Sequence, residues 1–265
     1  MMLGRVGAVA RNTFREAVRN KVLYSLLVFA AAIIVSALAL GQLSVHEDRR
    51  MIRDVGLFGV DVFGVLIAIF IGVNLLYKEL ALKTVYTILP KPIARWEFIL
   101  GKWAGVMATL AVEVGVMGGV LAATLMVEGG REALDLALPK ALWLLFMNVT
   151  IMTSVAVWFS SFSSPFLSGL FSLGIFVVGR SVPDLRQLAG RLGGPVGRIL
   201  ELCAAFLPNL QLFYPSGTSV DGRAVSVHAS FVAGPYLASA TAYALGYSAL
   251  VLGLAMLIFQ RRDFV

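Results

Sequence analysis

A chain of 265 residues with 59% hydrophobic and 14% charged content holds too little charge to cover a water-soluble globule, and it reads as a polytopic membrane protein. Its formal charge of +7 does not mark a nucleic-acid binder, because the basic residues flank apolar runs instead of forming a patch interleaved with aromatics. Cys203 is the only cysteine, which excludes an intrachain disulfide and a CxxC metal or redox centre.

In residues 3–20, Leu3, Val6, Ala10, Phe14, Ala17 and Val18 fall near one helical face, while Arg11, Arg15 and Arg19 form an i, i+4 stripe on another. This spacing predicts an N-terminal interfacial helix lying on the inner membrane surface. Six apolar runs follow, at about 22–43, 55–76, 99–126, 138–159, 165–182 and 236–259. Each is near the roughly twenty residues that cross a 30 Å hydrocarbon core as a helix. The expected fold is all-α, with six transmembrane helices in a single domain over 1–265. The first run lacks a small-residue cleavage site and is read as a retained span.

Several spans carry polar residues. Glu113 is the sharpest, because an ionised carboxylate at mid-bilayer costs at least about 2.5–3.5 kcal/mol and belongs beside protein or water. It has two readings: a substrate-path or proton-linked group, or a structural partner for Asn148 or Asn74. Asp61 lies near the outer end of its span, where it can reach headgroup water, and Arg180 can snorkel at the outer end of the fifth. Asn148, Thr150, Thr153 and Ser154 can bond across helices in lipid. Gly115, Gly118, Gly119, Gly169 and Gly174 can permit close helix contact.

Between the second and third runs lies 77–102, the long polar stretch. Leu80, Leu82, Val85, Ile88 and Leu89 carry no turn signal, so the preceding helix should continue to Leu89. Pro90-Lys91-Pro92 then breaks it, since proline lacks the N–H that a helix interior needs and biases its predecessor out of the helical region. A new helix should begin at Ile93 or Ala94. Past the fourth run, Ser160 to Ser164 spells SSFSS before Pro165, a favoured first helical residue with a serine available as a cap. Residues 184–192 and 195–206 form two amphipathic helix candidates on the outer side, separated by Gly193-Gly194, and Asp221-Gly222 marks a turn.

Charge orients the chain. The N-terminal flank (Arg5, Arg11, Arg15, Arg19, Lys21) and the 77–102 stretch (Lys78, Lys83, Lys91, Arg95, Lys102) are the short basic segments beside span ends. By the positive-inside rule both face the cytoplasm, and an even number of spans puts both termini there.

Glu79 just past a span, Thr84 five residues on, Ile88-Leu89, Lys91-Pro92-Ile93, Arg95 and Gly101-Lys102 together resemble the second cytoplasmic segment of ABC-2 type transporter permeases. With the order of spans, the resemblance covers nearly the whole chain. It extends to the subgroup associated with multicopper-enzyme maturation, such as the permease serving nitrous oxide reductase. Lys83 departs from the pattern, which puts Gly or Arg before the Thr. The resemblance implies a membrane permease subunit in the inner membrane of a prokaryote, working as a homodimer surrounded by membrane lipid. A separate cytoplasmic ATP-binding-cassette ATPase would bind the ATP and Mg, with no cofactor in this chain. It further implies a coupling helix at 77–102, with Glu79, Lys83, Thr84, Pro90, Lys91, Pro92 and Arg95 against the ATPase. Export or extraction of a substrate would follow; lipids, glycans, peptides, drugs and sulfur or copper species are all compatible.

No GxxxxGK[ST] phosphate loop, HExxH zinc motif or GxSxG elbow occurs, so the chain is not read as an enzyme. His46 and His228 are distant in sequence and are read as surface residues rather than metal ligands. The alternative to a permease is a non-transporting scaffold that recruits a cytoplasmic partner. A passive channel fits less well, because no span shows a regular polar stripe.

Overall fold

The computed structural model describes residues 2–41, 48–81, 94–129, 137–214, 216–220, 223–226 and 234–261. Helix α1 (Met2–Val18) leads through a short corner into α2 (Lys21–Gly41). Asn20 caps the second helix, its Oδ1 accepting the Val22 N–H at 3.1 Å, which satisfies one of the orphan donors of the first turn. Helix α3 (Asp48–Ala81) begins earlier than the apolar run it contains. Asp48, Arg49 and Arg50 are helical instead of loop.

Helices α4 (Arg95–Gly129) and α5 (Ala137–Ser160) follow. Ser164 then occupies the N-cap position of α6 (Pro165–Arg180), but its side chain makes no capping bond; its carbonyl accepts the Ser168 N–H at 2.8 Å instead. Among the described residues five helices are long and apolar enough to cross a membrane, with cores at Lys21–Ala39, Met51–Leu75, Trp96–Glu128, Ala137–Ser160 and Gly234–Phe259.

The fifth predicted span differs from expectation. Its helix α6 has 16 residues, about 24 Å, and then bends by 62° into α7 (Val182–Leu192). Pro183 is the cause: inside a continuous helix its ring would strike the residue 179 carbonyl, so the chain breaks at Ser181 and Pro183 falls in the first turn of the next helix. The bent pair counts as a sixth span only if both arms are taken together.

Helix α8 (Gly194–Phe206) follows α7 across Gly193 and Gly194, whose φ values of 57° and 61° are ones that L side chains rarely adopt. A 3-10 turn (Leu210–Phe213) and an antiparallel pair, β1 (Ser216–Val220) with β2 (Arg223–Ser226), precede α9 (Gly234–Arg261). Asp221-Gly222, the predicted turn, lies between the strands and outside the described residues.

Helix α5 is the hub, packed on α3 and α9, while α2 and α4 lie against α3. Its apolar residues supply two core clusters. One gathers α3 from Val65 to Leu75, the middle of α5, Phe213 and α9; the other gathers Ala30, Ile34, Leu57, Met117, Leu121 and the start of α5. Tyrosines on one face of α9 hold the segment after α8: Tyr236 and Tyr247 donate to the carbonyls of Leu212 (2.7 Å) and Phe206 (3.1 Å), and Tyr243 accepts the Asn209 N–H (3.0 Å).

Candidate functional site

Three helices converge on Asp61. It lies on α3, about 21 Å along the helix from Leu75, and is 0% exposed, so it does not reach headgroup water as its place near the span end suggested. Asn148, in the middle of α5, donates from Nδ2 to Asp61 Oδ1 at 2.7 Å. The Arg180 guanidinium, at the last residue of α6, pairs with Asp61 Oδ2. Arg180 therefore does not simply snorkel to water; 21% of its side chain is exposed, and its guanidinium lies 4.1 Å from the Tyr214 ring centroid and 5.2 Å from that of Phe176.

Sequence explains each approach. Arg180 ends its helix because the chain turns before Pro183, and a cation in the last turn complements the helix dipole. Gly179 allows the neighbouring segment in: a Cβ there would stand 2.8 Å from the Pro208 carbonyl oxygen. Burial pushes the Tyr214 phenol above its ordinary range, opposed by the Arg180 charge, and its ring offers a π face to the guanidinium. Two groups stay open among the described residues: Asn148 Oδ1 and Arg180 Nε are buried without hydrogen-bond partners. The cluster thus ties α3, α5, α6 and the segment after the 3-10 turn by charge, while keeping an acceptor and a donor free.

Glu113 is apart from it. The residue is 3% exposed, and neither carboxyl oxygen has a hydrogen-bond partner among the described residues. The structural partners expected from sequence are engaged elsewhere, Asn148 with Asp61 and Asn74 with the Phe70 carbonyl at 2.7 Å. Leu110 below it belongs to one core cluster and Val114 and Met117 to the other, so Glu113 sits at their seam. A buried carboxyl with no partner carries its desolvation penalty uncompensated. Glu113→Leu should therefore raise stability by about 1–3 kcal/mol in thermal unfolding of the detergent-solubilised protein, with Glu113→Gln close to wild type. A loss of stability in the Leu variant would mean that the carboxyl has a partner after all.

The other polar residues of α5 serve mainly their own helix: Thr150, Thr153 and Ser154 donate to carbonyls four residues back. Ser154 Oγ also accepts the Trp103 indole N–H from α4 at 3.1 Å, and Ser160 donates to the Val73 carbonyl of α3 at 2.7 Å. Of the glycines marked for helix contact, only Gly118 is crowded, by Leu142; a Cβ at Gly115, Gly119, Gly169 or Gly174 would meet nothing within 4 Å.

A second arrangement lies where α3 and α4 meet α1. Helix α3 continues past Leu75 to Ala81 and so contains Glu79, and Arg95 is the first residue of α4. Lys83, Thr84, Pro90, Lys91 and Pro92 lie outside the described residues, as do Leu89, His46 and His228. The start of α4 is firmly held. Glu97 Oε2 accepts the Ala94 N–H at 3.1 Å, the returning half of a capping box. Lys102, which the charge pattern places in a loop, is buried: its Nζ donates to the Leu75 carbonyl at 3.2 Å and stands 5.1 Å from the Phe98 ring centroid. Helix α1 closes this base. A Cβ at Gly101 would stand 2.7 Å from Val9 Cβ, and one at Gly105 would run into the Ala10 carbonyl oxygen, so α1 lies directly on the α4 backbone. Thr13 and Ala17 are buried there. Residues Met2–Val18 are helical, and the sequence reading did not foresee this packed face.

Sequence reasoning missed Tyr214 and the α9 tyrosines as partners. Opposite charges in two separate spans, Asp61 and Arg180, were the available signal, since intramembrane charges tend to pair with one another. Among the described residues no three His, Cys, Asp or Glu side chains gather closely enough to hold a metal ion.

No curated protein matches the sequence. The profile of the family described as ABC-2 family transporter protein matches residues 7–264, from within α1 to the end of the chain's last helix and beyond. Apolar helices of membrane-crossing length, a polar stretch between the second and third, and a match over almost the entire chain agree, and the protein belongs to the ABC-2 transporter family as a membrane permease of an ABC transporter.

Proposed function

We propose that this chain couples ATP hydrolysis by a separate cytoplasmic ATPase to export or extraction of a substrate, with 77–102 as the element that meets the ATPase. The ATPase binds the ATP and Mg. Two copies of the chain form the membrane part in the cytoplasmic membrane of a prokaryote, with both termini inside. The observation that carries this reading is mechanical. Helix α3 runs unbroken through its apolar core to Ala81, and α4 starts at Arg95 with Glu97, Lys102, Gly101 and Gly105 fastening it to its own cap, to α3 and to α1. Force applied between Ala81 and Arg95 then reaches two spans at once, because each moves as a body.

Glu79→Lys reverses one charge on the emerging helix, and the double variant Pro90→Gly with Pro92→Gly softens the proposed corner. Both should insert normally yet lose the co-purifying ATPase or its substrate-stimulated hydrolysis. Wild-type binding and stimulation in both would sink the coupling role. A wild-type chain that holds a cytoplasmic partner with no hydrolysis would instead indicate a scaffold.

A further inference from the structure

A groove of about 910 Å3 opens at the corner between α1 and α2. Arg15, Glu16 and Arg19 of α1, Lys21 of α2, and Phe70 and Asn74 of α3 line it. Three cations face one carboxylate, a net +2 in this lining. The side chains of Arg15, Arg19 and Lys21 are exposed, and among the described residues none makes a hydrogen bond or ion pair.

The groove has two ends of different character. Lys21 is the first residue of an apolar span, so its ammonium lies at the membrane boundary with Arg15 and Arg19 on the water side. Phe70 lies further in, one turn before Asn74, where α3 is apolar. From the same corner the exposed side chains of Tyr24 and Val28, three and seven residues after Lys21 and so on its face of the helix, continue along α2. A flank that only oriented the chain would need exposed cations and no hollow. Here cations cluster over a hollow that leads onto an apolar track, which is the polarity of a phospholipid.

We propose that this groove binds an anionic phospholipid, its phosphate held by Arg15, Arg19 and Lys21 and an acyl chain lying against Phe70 and the exposed face of α2. A soluble phosphate compound would use the cations but gain nothing from the apolar track. The site goes beyond the coupling reading, and its test needs no ATPase, so either can fail alone.

The full chain, with any subunit that co-purifies, is titrated in neutral detergent with phosphatidylglycerol or phosphatidylcholine, and bound lipid is counted by native mass spectrometry. Wild type should prefer phosphatidylglycerol. Arg15→Gln, Arg19→Gln and Lys21→Gln should each weaken that lipid by about fivefold and leave phosphatidylcholine unchanged. Arg15→Lys should retain the preference, which separates charge from misfolding. Phe70→Trp supplies a second readout: brominated acyl chains on phosphatidylglycerol should quench the added fluorescence more than the same chains on phosphatidylcholine. Equal affinities for the two lipids, or an undiminished preference in the combined triple Gln variant, would overturn the site. Displacement of phosphatidylglycerol by millimolar inorganic phosphate or glycerol phosphate would show a soluble phosphate ligand and overturn the lipid assignment.

Discussion

Asp61→Ala should destabilise this protein by about 3–5 kcal/mol, because it strands the Arg180 guanidinium among Tyr214, Phe176 and apolar helices with no counter-charge. The Asn148 amide loses its acceptor in the same stroke. Thermal unfolding in detergent, followed by size-exclusion fluorescence, reads the effect as a fall in midpoint. The double variant Asp61→Leu with Arg180→Met should recover most of it, since replacing both members of a buried pair by apolar groups of similar size is often neutral or stabilising. A double-mutant cycle then isolates the pairwise term. Equal midpoints for the single and double variants would show that the two charges do not depend on each other. The double variant also separates structure from function. If it is stable but no longer supports substrate-stimulated hydrolysis, the charges serve the working cycle and not the resting fold alone.

Gly105→Leu should release α1. The missing side chain is what lets the Ala10 carbonyl and Thr13 rest on the α4 backbone, and a leucine there would have to displace that carbonyl and the Thr13 Cβ. Overpacking of this kind typically costs about 1–3 kcal/mol, which corresponds to about 5- to 150-fold in the population of the detached helix. Trypsin reads it directly: cleavage after Arg11 and Arg15 should accelerate within that range, because protease cuts the open form. Gly115→Leu and Gly119→Leu, where a Cβ meets nothing within 4 Å, should leave the rate unchanged. Wild-type cleavage in Gly105→Leu would mean that α1 does not depend on this seat. Through Lys102 and Leu75 the same base links α4 to α3, so release of α1 should also weaken the proposed coupling.

The polar residues inside the spans show where reading the chain stops. Asp61, Glu113 and Asn148 were visible as candidates because charge and amide stand out against apolar neighbours. Their fates were not visible. In sequence Glu113 is the sharper suspect and Asp61 is read as reaching headgroup water, yet Asp61 is the one that is paired, and Glu113 has no hydrogen-bond partner among the described residues. Lys102 looked like one more cation of a basic loop and is instead folded under the start of α4, where its long stem can be buried while its ammonium finds a backbone carbonyl.

What the sequence by itself determined is local. An unbroken apolar run of about twenty residues decides that a segment spans, because each residue adds 1.5 Å against a hydrocarbon core of fixed thickness. Pro183 decides where the fifth helix must turn, and Gly193-Gly194 where the next one ends, because both act through backbone sterics within a few residues. The tertiary structure decided which face meets which. Asp61 takes partners 87 and 119 residues away, and α1 lies on glycines of a helix nearly a hundred residues on. A helical period shows that residues share a face of one helix; the rotation and height of the helix opposite depend on packing summed over all the others, and no single stretch of sequence contains that sum.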